Sequence, residues 1–418
     1  MPSIDGLVSS IDDRREEMIE TLKELLRIPA IGPENGGDGE FERARYLKEM
    51  LDGFGFEDIE MLDALDERVR LRLRPNIVAK GGSRPESTTW IVTHMDTVPP
   101  GDLDAWTRPP FSPREEDGRI YGLGAEDNGQ SLVASLFAAK ALLDLGMEGD
   151  RNVGLAIVAD EEGGSEKGIR FLIEEGVFSR DDIIYVPDFG VEDGSVIEVA
   201  EKTIMWLKVE VEGRQTHSST PSGGINALRV GSEFMVFLLD HLREKYHDMD
   251  HLFLPPRSTF EPTKRLQTVG NVNTVPGQDT WYMDCRILPR YDPEEVLETA
   301  RRAAEIFQDR SGARINVEAD HLTRAASPSE REGKAVECLQ DAVRRVRGIE
   351  PQARGIGGGT CANLFRLEGY PAYAWQTVDR TAHSVDEYSV VDNMVSDAKV
   401  FAIALAKLCF PFDFPEEW

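Results

Sequence analysis

Three short apolar runs in this chain each lead straight into residues that can bind a metal. Residues 89–93 run into His94, residues 153–159 into Asp160-Glu161-Glu162, and residues 182–186, through Pro187, into Asp188. Each run has the length and β-branched content of a buried strand. Open α/β sheets collect their ligands at the carboxyl ends of strands, so this recurring placement constrains the fold to an α/β architecture with its site along one sheet edge.

The helical segments agree with that reading. Met18, Leu22, Leu25 and Leu26 share one face of an opening helix that stops near a turn at residues 29–33. Residues 131–145 form another helix, ended by Gly146. From about Thr203 the order changes. A strand at 203–211, a helix at 225–246, strands at 266–275 and 280–288, a helix at 293–308 and a strand at 313–318 make a β-α-β-β-α-β unit. Residues 248–265, which include HLFLPPRSTFEP, read as a loop. The α/β pattern resumes with a helix from about Glu330 to Val346, a strand at 372–376 and a helix at 390–408. The expected domains are therefore 1–202 with 320–418, and an inserted α+β domain at 203–319.

A chain of 418 residues is long enough for two cores. Asp and Glu outnumber Lys and Arg by 76 to 47, a formal charge of −29, which argues against nucleic acid or an anionic membrane as partner. Arg is well in excess of Lys; with the acidic balance this fits either a salt-adapted cytoplasm or an ordinary acidic enzyme from a GC-rich genome. Cys285, Cys338, Cys361 and Cys409 are widely spaced and read as reduced thiols. No apolar run approaches the roughly 20 residues that span a bilayer, and the opening segment lacks the pattern of a secretory signal. The expectation is a soluble, cytoplasmic protein.

Five residues can hold two metal ions: His94, Asp127, Glu162, Asp188 and His383. Imidazole and carboxylate suit zinc, with cobalt and manganese as alternatives. Two neighbouring cations need a bridge, and Asp127 is the bridging candidate. His94 with Asp188 then serves one ion and His383 with Glu162 the other, leaving positions for water and substrate. Asp96, two residues after His94, is placed to fix the imidazole through its other nitrogen. Glu161 precedes a ligand and can point elsewhere, toward the water whose proton it would take.

These contexts, THMDTVPPGD, YGLGAEDNGQS, ADEEGG and TAHSVDEY, resemble the motifs of the M20 family of metallopeptidases and amidohydrolases, in the same order and over nearly the whole chain. The family includes desuccinylases of succinyl-diaminopimelate, deacetylases, carboxypeptidases and dipeptidases. The resemblance implies a zinc-peptidase-like catalytic domain with a mixed central sheet flanked by helices, two divalent ions per subunit, and Glu161 as general base. It implies that the inserted domain is a lid that also makes a homodimer. In that domain THSSTPSGGINA is similar to a family segment, so His217 would polarise the scissile carbonyl from the partner subunit. Asn273 and Arg286 fall where relatives hold the substrate's α-carboxylate, and Gly358-Gly359-Thr360 matches a loop whose backbone meets the same substrate.

Two departures stand out. Many relatives read Asp-x-Lys-Gly where this chain has Asp127-Asn128-Gly129-Gln130. Deacylases of the family usually carry Glu-Pro where this chain has Asp188, and aspartate there is commoner among members acting on peptides with a free amino end. The expected substrate is an N-acyl amino acid or short peptide, with a desuccinylase-like deacylase slightly ahead of a dipeptidase or aminopeptidase. A non-catalytic relative, binding metal or an amino acid, is the competitor from another class. Such a protein would lose a ligand or the base, and all six positions are present.

Overall fold

The structure, a computed structural model, describes residues 3–82, 87–146 and 149–410. It divides into two compact units. The first comprises Met1–Val199, Pro328–Ala353 and Thr360–Trp418; the second comprises Ala200–Ser327 and Arg354–Gly359.

Most of an eight-stranded sheet belongs to the first unit. Its order is Asp58–Leu65, Leu73–Gly81, Asn152–Val158, Thr88–His94, Ile183–Val186, Ala372–Ala374, Val196–Glu201, Gln352–Ile356. Thr88–His94 lies parallel to both of its neighbours, and Ala372–Ala374 is parallel to Ile183–Val186. Asp58–Leu65 and Leu73–Gly81 pair antiparallel, so the sheet is mixed. Every residue of Thr88–His94 is buried, as a central parallel strand covered on both faces requires. On one face Trp90, Val92, Ala156, Val158, Ile184 and Val186 pack with Ile169, Leu172 and Phe365 from short helices. The helix Val391–Cys409 packs against Ser131–Leu143 and Lys334–Arg347. Ser131–Leu143 is buried nearly all round, which its run of Leu, Val, Ala and Phe allows.

The second unit has a four-stranded antiparallel sheet in the order Thr259–Arg265, Gln278–Ile287, Thr203–Glu212, Arg314–Thr323. Burial alternates strictly along the central strands: Met205, Leu207, Val209 and Val211 point inward with Trp281, Met283, Cys285 and Ile287. Helices Ala227–Lys245 and Pro293–Ser311 cover that face. Their starts are fixed by Asn226 accepting the Arg229 N–H and Asp292 accepting the Glu294 N–H, with Pro293 in the first turn.

One expected element is displaced. The sequence reading puts a strand at 266–275 and a loop at 248–265; the chain instead pairs Thr259–Arg265 with Gln278–Ile287. Only Thr274–Val275 of the expected strand enters a ladder, with Thr216–His217. Pro262 and the polar run after it resemble a loop, yet a sheet edge tolerates both, and the register shifts between Pro262 and Lys264. Gly270, Asn271 and Asn273 favour a turn in the stretch that was expected to be extended. The second unit runs from Ala200 to Ser327 and takes in Arg354–Gly359, where the sequence places the insertion at 203–319.

Candidate metal centre

Parallel strands deliver most of the donors. His94 is the last residue of Thr88–His94, Glu161 and Glu162 follow Asn152–Val158, and Asp188 follows Ile183–Val186 after one proline. Asp127 sits in an irregular helical turn, Ala125–Gln130, that leads into Ser131–Leu143. Gly124 opens that turn at φ +80°, and a Cβ there would lie 2.6 Å from Thr97 Cγ2, so the approach needs glycine.

All five sequence-chosen donors come together. His94 Nε2 is 2.9 Å from Asp127 Oδ1 and 3.5 Å from Asp188 Oδ1. His383 Nε2 is 3.1 Å from Asp127 Oδ2 and 3.0 Å from Glu162 Oε1. Asp127 thus offers one oxygen to each imidazole. Two triads result, His94-Asp127-Asp188 and Asp127-Glu162-His383, each with donor atoms within 4.8 Å of one another. Donors around a zinc ion at 2.0–2.2 Å lie roughly 3.4 Å apart, so both triads have the dimensions of a metal site.

The charge balance of the centre also favours cations. Burial alone would lower the His94 pKa, but contacts with Asp127, Asp188 and Asp96 hold it well above the ordinary imidazole value. Contacts with Asp127 and Glu162 push His383 up to about 10. Burial raises Glu162 and Asp188, while the two imidazoles overcome burial at Asp127 and hold it well below the usual carboxylate range. Four carboxylates, Asp127, Glu161, Glu162 and Asp188, surround two imidazoles, and two divalent ions would neutralise them. The donor set therefore fits the pair of ions.

A pH dependence follows. At pH 7 the His383 imidazole carries a proton that it must lose in order to ligate. Zinc added to metal-free protein is expected to release protons, and the apparent affinity to rise with pH toward pH 10. Calorimetric titration in buffers of different ionisation enthalpy checks this; identical heats in every buffer would contradict it.

Asp96 contacts both His94 and the Glu161 loop. The nearest partner of His94 Nδ1 is the Asp96 backbone oxygen at 3.2 Å, with Asp96 Oδ1 at 3.5 Å. The Asp96 carboxylate accepts the backbone N–H groups of Glu161 and Glu162 at 3.1 and 3.0 Å, tying the His94 loop to the Glu161 loop. Burial and the charge of Asp188 push the Glu161 carboxyl up to about 8. The Cys361 thiol, held well above its usual pKa by burial and by Glu161, donates to Glu161 Oε1 at 3.0 Å.

Sequence reasoning missed several residues here. Cys361 read only as a reduced thiol. Asn128, part of the departure from Asp-x-Lys-Gly, donates to Pro187 O at 2.7 Å and Asp188 Oδ1 at 3.3 Å, and so links the Asp127 and Asp188 loops. Gln130 donates to Thr377 O and accepts from Ser389 Oγ. Glu126 and Glu387 also went unread. Glu126 accepts N–H groups from Asp379, Thr381 and Ala382, and Glu387 from Gly124, Glu126 and Asp127. Two sequence signals could have flagged them: an acidic residue directly before Asp127, and another four residues after His383.

The remaining predicted residues lie chiefly in the second unit. His217 is exposed, its Nδ1 2.8 Å from Ser219 Oγ, and it pairs in register with Thr274; Asn273 O accepts the Ser218 N–H. Arg286 forms an ion pair with Asp284 at 2.7 Å and donates to Gly357 O at 2.9 Å. Gly358 and Gly359 belong to the second unit and follow the strand Gln352–Ile356. Thr360 belongs to the first, where its Oγ1 accepts the Ala362 N–H at the start of Ala362–Leu367.

An α/β sheet whose strand ends and adjoining turns bring histidines and carboxylates into two neighbouring triads is the arrangement of a metal-binding enzyme. The pattern of peptidase family M20/M25/M40 matches residues 90–407, and the chain belongs to that family, whose members act on amide bonds. It is 36% identical over 405 residues to an uncharacterized metallohydrolase of Methanocaldococcus jannaschii, covering 93% of this chain and 98% of the relative. It is 26% identical to a succinyl-diaminopimelate desuccinylase of Paracoccus denitrificans, over 90% of this chain and 94% of that one. Human carnosine dipeptidase 1 shares the fold with a TM-score of 0.71 at 20% identity, covering 97% of this chain and 99% of that chain. No helix among the described residues is long and apolar enough to cross a membrane.

Proposed function

We propose that the protein is a dinuclear hydrolase that cleaves the amide bond of an N-acyl amino acid, in the manner of a desuccinylase or related deacylase. The observation that carries this reading is Asp127, whose two oxygens lie 2.9 Å from His94 Nε2 and 3.1 Å from His383 Nε2, with Glu161 beside Asp188 in the same cluster. His94, Asp127 and Asp188 would hold one divalent ion, and Asp127, Glu162 and His383 the other, with zinc the first expectation and cobalt or manganese the alternatives. Bound there, the ions supply Lewis acidity and lower the pKa of the attacking water and of Glu161.

The chain's own residues do the rest. Glu161 takes a proton from the water as its oxygen bonds to the carbonyl carbon, and delivers that proton to the nitrogen as the C–N bond breaks, leaving a carboxylate and an amine. Asp96 fixes the backbone on which Glu161 rides, and Cys361 holds one of its oxygens. His217 as donor to the oxyanion, Asn273 and Arg286 as holders of the substrate carboxylate, and the Gly358-Gly359-Thr360 backbone belong to the same proposal. So do the homodimer, the lid role of the inserted domain and a cytoplasmic location. Motif similarity supports these roles.

Asp188 favours a second reading, hydrolysis of a short peptide with a free amino end. A panel of N-succinyl-diaminopimelate, N-acetyl amino acids and dipeptides, assayed with added zinc or cobalt, separates the two. The first reading predicts turnover of an N-acyl amino acid well above any dipeptide. The reverse order would establish the second, and no turnover at all would return the protein to a binding role.

A further inference from the structure

The centre's two flanking loops are held by carboxylates that bind no ion in the proposed scheme. Glu126 and Glu387 are both fully buried, 2% and 1% exposed. Glu126 Oε1 accepts the Asp379 N–H at 2.6 Å, and its Oε2 accepts those of Thr381 at 2.5 Å and Ala382 at 3.0 Å. Those residues lead directly into His383. Glu387 Oε2 accepts the Gly124 N–H at 2.8 Å, and its Oε1 those of Glu126 and Asp127, both at 2.9 Å. Each loop therefore carries one ligand and one clamp, and each clamp grips the loop that carries the other ligand.

Neither loop can hold this shape through regular secondary structure. The backbone N–H groups in question have carboxylates as partners in place of a helix or sheet, and buried N–H groups are costly to leave unpaired. His383 itself adopts φ +59°, a left-handed conformation unfavourable for a residue with a Cβ, so the surrounding bonds have to impose it.

We infer that Glu126 and Glu387 are positioning residues that act unequally on the two metal affinities: Glu126 orients His383 and so governs one ion, whereas Glu387 orients Asp127 and so governs both. The inference rests on the dinuclear reading of the centre. A carboxylate that merely supported the fold, or merely added negative charge, would not distinguish the two ions in this way.

Calorimetric titration of zinc into metal-free protein at fixed pH tests it, with thermal melting of the same samples. The unsubstituted protein is expected to take up two ions; fewer would overturn the reading of the centre itself. Glu126→Gln removes charge, and Glu126→Asp keeps the charge but withdraws the oxygens from 379–382. Both should bind one ion within threefold of the unsubstituted protein and the other about 10- to 100-fold more weakly, the usual loss when an outer partner of a ligand is removed. Glu387→Gln should weaken both ions. If Glu126→Gln does not fold, Glu126→Asp carries the test alone. Equal weakening of both ions in the Glu126 variants would overturn the inference, as would a lowered Tm with both affinities unchanged.

Discussion

Glu161→Gln is expected to lower kcat by about 10²- to 10⁴-fold while the protein keeps both metal ions. The side chain is isosteric, the Glu161 backbone N–H stays bound to Asp96 Oδ1, and the Cys361 thiol still finds an oxygen acceptor. What disappears is the ability to take a proton from water and return it to the amine. The loss corresponds to roughly 3–5 kcal/mol of barrier. In the metal-free protein the carboxyl sits at about 8, pushed up by burial and Asp188, so it lies near the range in which a base can also act as an acid. Steady-state kinetics with metal analysis on the same preparation checks this. Near-native kcat with full metal content would remove Glu161 from the mechanism.

Asp127→Ala should abolish turnover and weaken both ions, by more than the roughly 10- to 100-fold typical of losing an outer partner of a ligand. Among the described residues only Asp127 pairs with both imidazoles within 3.5 Å: Asp188 pairs with His94, and Glu162 with His383. His383→Ala, by contrast, should cost chiefly one ion. Metal content after dialysis against zinc-free buffer distinguishes the two variants. Retention of one tightly held ion by Asp127→Ala would mean that Asp127 does not bridge.

The donors were legible in the sequence because their chemistry is specialised and their position recurs. His94 ends an apolar run, Glu161, Glu162 and Asp188 closely follow two others, and the runs are strands. The helices Ala227–Lys245 and Pro293–Ser311 fall where helices were expected, at 225–246 and 293–308. Thr259–Arg265 was not, because an edge strand buries little and its sequence, TFEPTKR, lacks the alternation of its neighbours. Glu126, Glu387 and Cys361 escaped for a different reason. Their partners lie far along the chain, 253 residues away for Glu126 and Asp379 and 200 for Cys361 and Glu161. No local pattern carries such a pairing, and a carboxylate that caps backbone N–H groups has no motif of its own. Arg286 shows the opposite limit, since an arginine suited to a substrate carboxylate is here engaged by Asp284.

In the proposed scheme two divalent ions, held by His94, Asp127, Glu162, Asp188 and His383, make this protein an amide hydrolase. The most direct test is to strip the protein with a chelator, add zinc in measured equivalents, and follow hydrolysis of an N-acyl amino acid against metal bound per chain. Activity is expected to return as binding approaches about two ions per chain, and Glu161→Gln to take up the same metal without recovering activity. Binding below about one ion per chain, with no hydrolysis that responds to chelator, would contradict the scheme.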